Sequence, residues 1–312
     1  MRRVPLLITL LGVSVAIVFS ASLLRPSAVP AQSPRQAPAA TTPGETVKIF
    51  VSARDNKGRA VSDLSPQDLQ IIEKQKPQEI VAIHSPALVV GLLFDTSKSL
   101  RTQAPEVTKE SIRGFLEEIL RAHAEVFVMG FSDAPRILAR PTRDLPTILP
   151  AVEQATALFG GATSFYDTLE FVSTELAADE SVAHVLIVVS DCRDTASRID
   201  LRRAIEVTRR ARTRLYVLVT ERPLFMDKGL QLNDVANRLG SETGGRAYRG
   251  TSEYEIRDAL AEITQELQGH YLVEFQPSNP ARDDKFHNVR VKSLRKDLRV
   301  SAPPGYFWPQ NP

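Results

Sequence analysis

The sequence predicts an α/β protein: a doubly wound, mainly parallel sheet with a small flanking β domain built from the N- and C-terminal segments. Three observations carry that expectation. From Leu88 to Leu267, apolar runs of strand length alternate with segments whose apolar residues recur at helical spacing. The stretches on either side of this region are β-rich and lack helical periodicity. The first apolar run, Val89-Val90-Gly91-Leu92-Leu93-Phe94, stops abruptly at Asp95-Thr96-Ser97-Lys98-Ser99, a polar turn placed where open parallel sheets carry their ligand sites.

The elements follow in order. Arg2-Arg3 precede an apolar stretch from Val4 to Phe19, and small residues and prolines continue to Ala31. This is the layout of a secretory signal, with cleavage after Ser22 or after Ala31, or of an uncleaved membrane anchor. No cysteine lies near it, which excludes a lipoprotein. Residues 32–45 read as a disordered Pro/Ala/Thr linker. Residues 46–86 form a β segment: Val47–Ala53 alternates, Asp55-Asn56-Lys57-Gly58 turns, and Leu69–Glu73 and Ile80–Ile83 resume β character.

The central region, 87–268, opens with the Leu88 strand. An apolar stripe on 103–122 follows (Ile112, Phe115, Leu116, Ile119, Leu120), then a strand at Val126–Phe131. Leu145–Leu158 and Asp167–Ala178 are helical. Val185-Leu186-Ile187-Val188-Val189 is a strand buried on both faces. Ile199–Ala211, Leu232–Leu239 and Tyr254–Leu267 are helical, and Leu215–Val219 is a strand. In the C-terminal segment, 269–312, strands fall at Tyr271–Phe275, Val289–Lys292 and Leu298–Val300, and this segment is expected to pack with 46–86. Tyr306, Phe307 and Trp308 staple the chain's end onto that β domain.

Composition narrows the function. The 312 residues are 43% hydrophobic and 24% charged, ordinary for a globular chain. The formal charge of +2 falls to about −1 once Arg2, Arg3 and Arg25 are set aside with residues 1–31, leaving no electrostatic case for nucleic acid. A single cysteine, Cys192, excludes an internal disulfide and reads as a passive small side chain. The five histidines, 84, 123, 184, 270 and 287, have no metal spacing and are expected at surfaces or strand ends. The basic residues between Lys285 and Arg299 alternate with apolar ones, as on a solvated strand face.

Chemistry concentrates in three loops. Asp95, Ser97 and Ser99 follow the first strand, Thr163 ends Gly160-Gly161-Ala162-Thr163 before a helix, and Asp191 follows the Val185–Val189 strand. Two carboxylates and three hydroxyls, completed by water, suit Mg²⁺ or Mn²⁺, or Ca²⁺ more loosely. The site would stay open for a partner's carboxylate, which the first helix's N-terminus would also favour. Asp167 and Asp194 are read as helix caps or supporting groups. No Gly-x-Ser-x-Gly occurs and no histidine lies in the three loops.

These residues resemble the von Willebrand factor A-type domain and its metal-ion-dependent adhesion site. The match runs through Asp95-Thr96-Ser97-Lys98-Ser99, Thr163 in Gly-Gly-Ala-Thr-Ser-Phe-Tyr-Asp, and Asp191 in Val-Val-Ser-Asp, over about residues 88–268. The flanks are similar to the bacterial secreted "VWFA-related" type, in Val51–Val61 and in Pro304-Gly305-Tyr306-Phe307. The resemblance implies Asp95, Ser97, Ser99 and Thr163 as ligands, with Asp191 direct or through water. It departs from the family at Cys192, where a glycine is usual, and at Ala162, inserted before Thr163. The expected function is a non-enzymatic, exported protein-binding or adhesion module, secreted or held in the cell envelope. It would engage a protein partner through a metal-bridged carboxylate, and would meet membrane only through its N-terminal segment. A metal-stabilised envelope scaffold and a metal-assisted hydrolase are the alternatives.

Overall fold

Six strands build the α/β sheet: β4 (Leu88–Asp95), β5 (Glu125–Phe131), β6 (Pro135–Thr142), β7 (Ala183–Ser190), β8 (Arg214–Val219) and β9 (Arg246–Arg249), in spatial order β6-β5-β4-β7-β8-β9. Every pairing is parallel except that of β5 with β6, a hairpin that leaves β6 on the edge. The computed structural model describes residues 46–102, 109–157, 160–176, 182–220, 234–278 and 283–308. The expected signal or anchor and the linker lie outside them. Among the described residues no helix is long and apolar enough to cross a membrane.

Six helices cover this sheet: α1 (Lys109–Arg121), α2 (Leu145–Ala157), α3 (Phe165–Leu176), α4 (Leu201–Arg210), α5 (Asp234–Thr243) and α6 (Glu253–Gln268). The two-residue period of a strand sends alternate side chains to opposite faces. Val90, Leu92 and Phe94 of β4 and Val185, Ile187 and Val189 of β7 meet Leu116 and Ile119 of α1, Val152 of α2 and Leu260 and Ile263 of α6. Leu93, Leu186 and Val188 face the other way, onto Leu169 of α3, Ile205 of α4 and Leu239 of α5. The sheet is therefore wound on both faces, and its central strands must be apolar on both sides. Of the helix expected over 103–122, Lys109–Arg121 is α1, residues 103–108 lie outside the described residues, and Lys98–Thr102 before them is a 3-10 turn.

The flanking segments form one sheet of seven strands from β1 (Val47–Asp55), β2 (Leu69–Glu73), β3 (Lys76–His84), β10 (His270–Gln276), β11 (Phe286–Ser293), β12 (Leu298–Ser301) and β13 (Gly305–Phe307). Their order is β12-β1-β10-β3-β2-β11-β13, antiparallel throughout. This corrects the expected proportions. The β part is the larger sheet, not a small appendage, and among the described residues antiparallel strands outnumber parallel ones. Short strands such as β12 and β13 at its edges supply the excess.

One face of this sheet encloses its own core, with Val47, Ile49, Val51, Ile71, Val273, Phe275, Tyr306 and Trp308 buried together. Phe50, on the opposite face of β1, joins the α/β core instead. The basic residues Lys285, Arg290, Lys292, Lys296 and Arg299 are exposed. The histidines lie at surfaces or strand ends as expected, and His184, His270 and His287 at the strand ends are buried. His270 shows why: its ring stacks on Phe50 at 5.9 Å and its Nε2 lies 3.0 Å from the Pro86 carbonyl, so its polar atoms are satisfied indoors.

Candidate cation site

The three loops expected to carry the site emerge side by side, because β4 lies between β5 and β7 and their carboxyl ends share one edge. Hydrogen bonds then knit them. Gly160 N–H donates to the Thr96 carbonyl (2.8 Å) and Lys98 N–H to that of Gly161 (3.2 Å), joining the first loop to the second. Thr195 and Ala196 N–H groups donate to the Thr163 carbonyl at 2.9 and 3.0 Å, and Thr163 N–H donates to Thr195 Oγ1, joining the second to the third. Ser190 Oγ donates to Asp95 Oδ2 at 2.6 Å, joining the third to the first.

Within the first loop, Asp95 Oδ1 accepts Ser97 N–H at 2.9 Å, and the Ser97 and Ser99 hydroxyls lie 2.9 Å apart. Asp95, Ser97, Thr163 and Asp191 are all buried, with Asp95 only 3% exposed; Ser99 is exposed at the rim. Burial pushes the Asp95 carboxyl above its ordinary range, and the nearby Asp191 carboxylate pushes the same way against the hydrogen bonds from Ser190 and Ser97. None of the ion pairs among the described residues involves Asp95. The donors are oxygen only, the chemistry a hard divalent cation takes. Among the described residues no three His, Cys, Asp or Glu side chains gather as a closed metal site, so any ion here draws on hydroxyls and water.

Three supporting residues escaped the sequence reading. Ser190 holds Asp95 and also accepts Cys192 N–H at 2.9 Å. Asp133, in the loop after β5, accepts Ala162 N–H at 2.7 Å, so the inserted residue is anchored rather than bulged free. A side chain added at Gly161, where φ is +78°, would meet Asp133 Oδ2 at 2.3 Å. Thr195 is the third, a hydroxyl bridging two loops. Each is a polar residue at the end of a strand or in the loop after it, a signal too common to read from one sequence.

The two aspartates read as caps act as backbone acceptors. Asp194 Oδ2 accepts Tyr166 N–H at the start of α3, and Asp167 Oδ1 accepts the Arg198 and Ile199 N–H groups. Cys192 is buried against the α3–α5 side of the core with φ of 59°, a left-handed backbone that glycine adopts without cost and cysteine does not. An open hollow lined by Thr96, Ser132, Asp133, Arg136 and Gly160 adjoins the first turn.

A family model of the von Willebrand factor type A domain matches residues 90–193, from within β4 to just past Asp191. Over residues 90–193 the chain is similar to a von Willebrand factor type A domain. Solved structures resemble it at low identity. An aerotolerance-related membrane protein from Bacteroides fragilis, carrying multiple mutations to serine, is 14% identical over 58% of this chain and 98% of its own, with a TM-score of 0.44. BatB from Bacteroides thetaiotaomicron is 15% identical over the same shares, at 0.45. The PilB minor pilin from Streptococcus sanguinis is 11% identical at 0.44, over 59% of this chain and 62% of the pilin, so the chain spans less than two thirds of that relative. No curated protein matches. The matched residues run from β4 to just past β7 and do not extend to β8, β9 or the seven-stranded sheet.

Proposed function

We propose that the type A domain is a non-enzymatic binding module that grips an acidic side chain of a protein partner through a divalent cation. Asp95, Ser97, Ser99, Thr163 and Asp191 hold the ion directly or through water, with Mg²⁺ the best fit and Mn²⁺ or Ca²⁺ able to substitute. One observation carries this reading. Asp95 is a buried carboxylate beside a second one, with only neutral donors on it. A buried anion without a countercharge is costly, and an ion from outside removes that cost. The ring of loops leaves an oxygen-lined face at the rim, where Ser99 is exposed, for a partner's carboxylate.

Hydrolysis is the weaker reading, because the three loops contain no histidine to act as a general base. The module works outside the cytoplasm, where the basic and then apolar N-terminal segment would direct it.

The test has two tiers. Mg²⁺ titrated into the chelator-treated chain raises its melting temperature, and Asp95→Asn abolishes the rise; an equal rise in both removes the cation site. Mg²⁺-dependent retention of an envelope protein by the immobilised chain, lost with chelator and in Asp95→Asn, establishes adhesion. An ion that binds while retention stays metal-independent replaces adhesion with the envelope-scaffold reading.

A further inference from the structure

The chain's C-terminal end is fastened by a buried polar cluster remote in sequence from the three loops. His287 on β11 is 6% exposed and Glu73, the last residue of β2, 3%. His287 Nδ1 lies 3.0 Å from Glu73 Oε1, and its Nε2 lies 2.9 Å from Asp283 Oδ1. The Tyr306 hydroxyl of β13 donates to the other Glu73 oxygen at 3.2 Å, and the Tyr306 ring stacks on the imidazole at 5.1 Å. Asp284 N–H donates to the Trp308 carbonyl, so the segment carrying Asp283 also holds the chain's last described residue.

A neutral imidazole has one N–H, yet both ring nitrogens face carboxylate oxygens at hydrogen-bonding distance. The contacts are satisfied only when the cluster holds one more proton, either on the ring or shared with Glu73. Without it, one carboxylate faces a nitrogen lone pair, either the buried Glu73 or the half-exposed Asp283 according to which nitrogen keeps its hydrogen. The groups facing the ring among the described residues are Glu73 from β2, Tyr306 from β13 and Asp283 before β11. Beyond them Lys285 lies 4.0 Å from Asp283, and Arg210 of α4 is paired with Asp284. The direct neighbours are thus two acids and a phenol.

We propose that this cluster is a proton-held latch, which keeps β13 and Trp308 on the seven-stranded sheet and lets them go when the proton leaves. Two shifts agree with it. The hydrogen bond from His287 holds the Asp283 carboxyl below its usual range, and burial, then Glu73, pushes the Tyr306 phenol upward. A lowered acid contributes stability that is lost on acidification, and a raised phenol contributes stability that is lost as pH rises. The latch therefore holds between an acidic and an alkaline limit, and the shared proton sets the alkaline one.

Hydrogen exchange on the full chain tests this, with rates corrected for the intrinsic effect of pH. Protection of the amides of residues 286–308 is expected to fall roughly tenfold or more between pH about 6 and pH about 9, while β7 keeps its protection. His287→Phe keeps the ring stack but cannot titrate, and its protection of 286–308 is expected to be low at both values. Asp283→Asn, at a half-exposed position that spares the core, is expected to move the loss to lower pH. Nitrogen NMR of His287 in the wild type gives an answer independent of either variant folding. Equal protection at both pH values, no shift in Asp283→Asn, or a neutral ring beside an ionised Glu73 at pH about 6 overturns the proposal.

Discussion

Asp95 and Glu266 are both buried carboxylates, and the chain treats them in opposite ways. Glu266, on α6, is fully buried; its Oε1 lies 2.9 Å from Arg54 of β1 and 2.8 Å from Arg246 of β9, and its Oε2 accepts the Tyr216 hydroxyl of β8. Two guanidinium groups neutralise it from two sheets. Arg214 strengthens the same junction, donating to Ser52 Oγ and to the Phe50 and Ser301 carbonyls while its guanidinium lies 4.2 Å over the Phe50 ring. Asp95 receives one backbone N–H and one hydroxyl. A carboxylate given its own cations is a structural tie. One denied them, next to a second carboxylate, is what the proposed cation would neutralise.

Breaking the tie should cost the most. Glu266→Ala strands Arg54, Arg246 and the Tyr216 hydroxyl at a buried junction, and is expected to lose about 3–5 kcal/mol in urea unfolding. The contrast sharpens at Asp95. In chelator, Asp95→Asn is expected to match or exceed wild-type stability, because it removes an uncompensated charge. At Mg²⁺ about a hundredfold above its Kd, wild type should gain about 2.7 kcal/mol and the variant nothing. If the substitution costs the chelated protein as much as Glu266→Ala costs it, the two carboxylates are alike and the contrast fails.

Gly161→Ala tests the scaffold around the open site. A left-handed φ disfavours a side chain there by about 1–2 kcal/mol, and the Asp133 contact adds displacement of the Thr163 loop. Both stability and Mg²⁺ affinity should fall, the latter read by calorimetric titration. The smallest effect is expected at Cys192→Gly. Relief of its left-handed backbone offsets the lost packing of a buried thiol, and the net change should stay within about 1 kcal/mol.

What could be read in advance follows from which interactions are local. The central strands β4, β7 and β8 announce themselves because both faces are buried and nearly every residue is apolar. The edge strands β6 and β9 do not. Pro135 and Pro141 in β6 are tolerated because an edge needs no ladder bond on its outer side, and Arg246 and Arg249 of β9 are exposed. The burial of three strand-end histidines was not legible for a related reason. Nothing near His287 in the sequence shows that Glu73, more than two hundred positions away, ends on the paired strand.

By itself the sequence determined the alternation of strand and helix, the β character of both flanks and the three oxygen-bearing turns, since each depends on side-chain period or turn chemistry within a few residues. Only the tertiary structure decided that the flanks make a seven-stranded sheet, that Ser190, Asp133 and Thr195 tie the turns together, and which buried charges are answered. Those outcomes depend on partners distant along the chain, and chain period carries no record of which side chains meet.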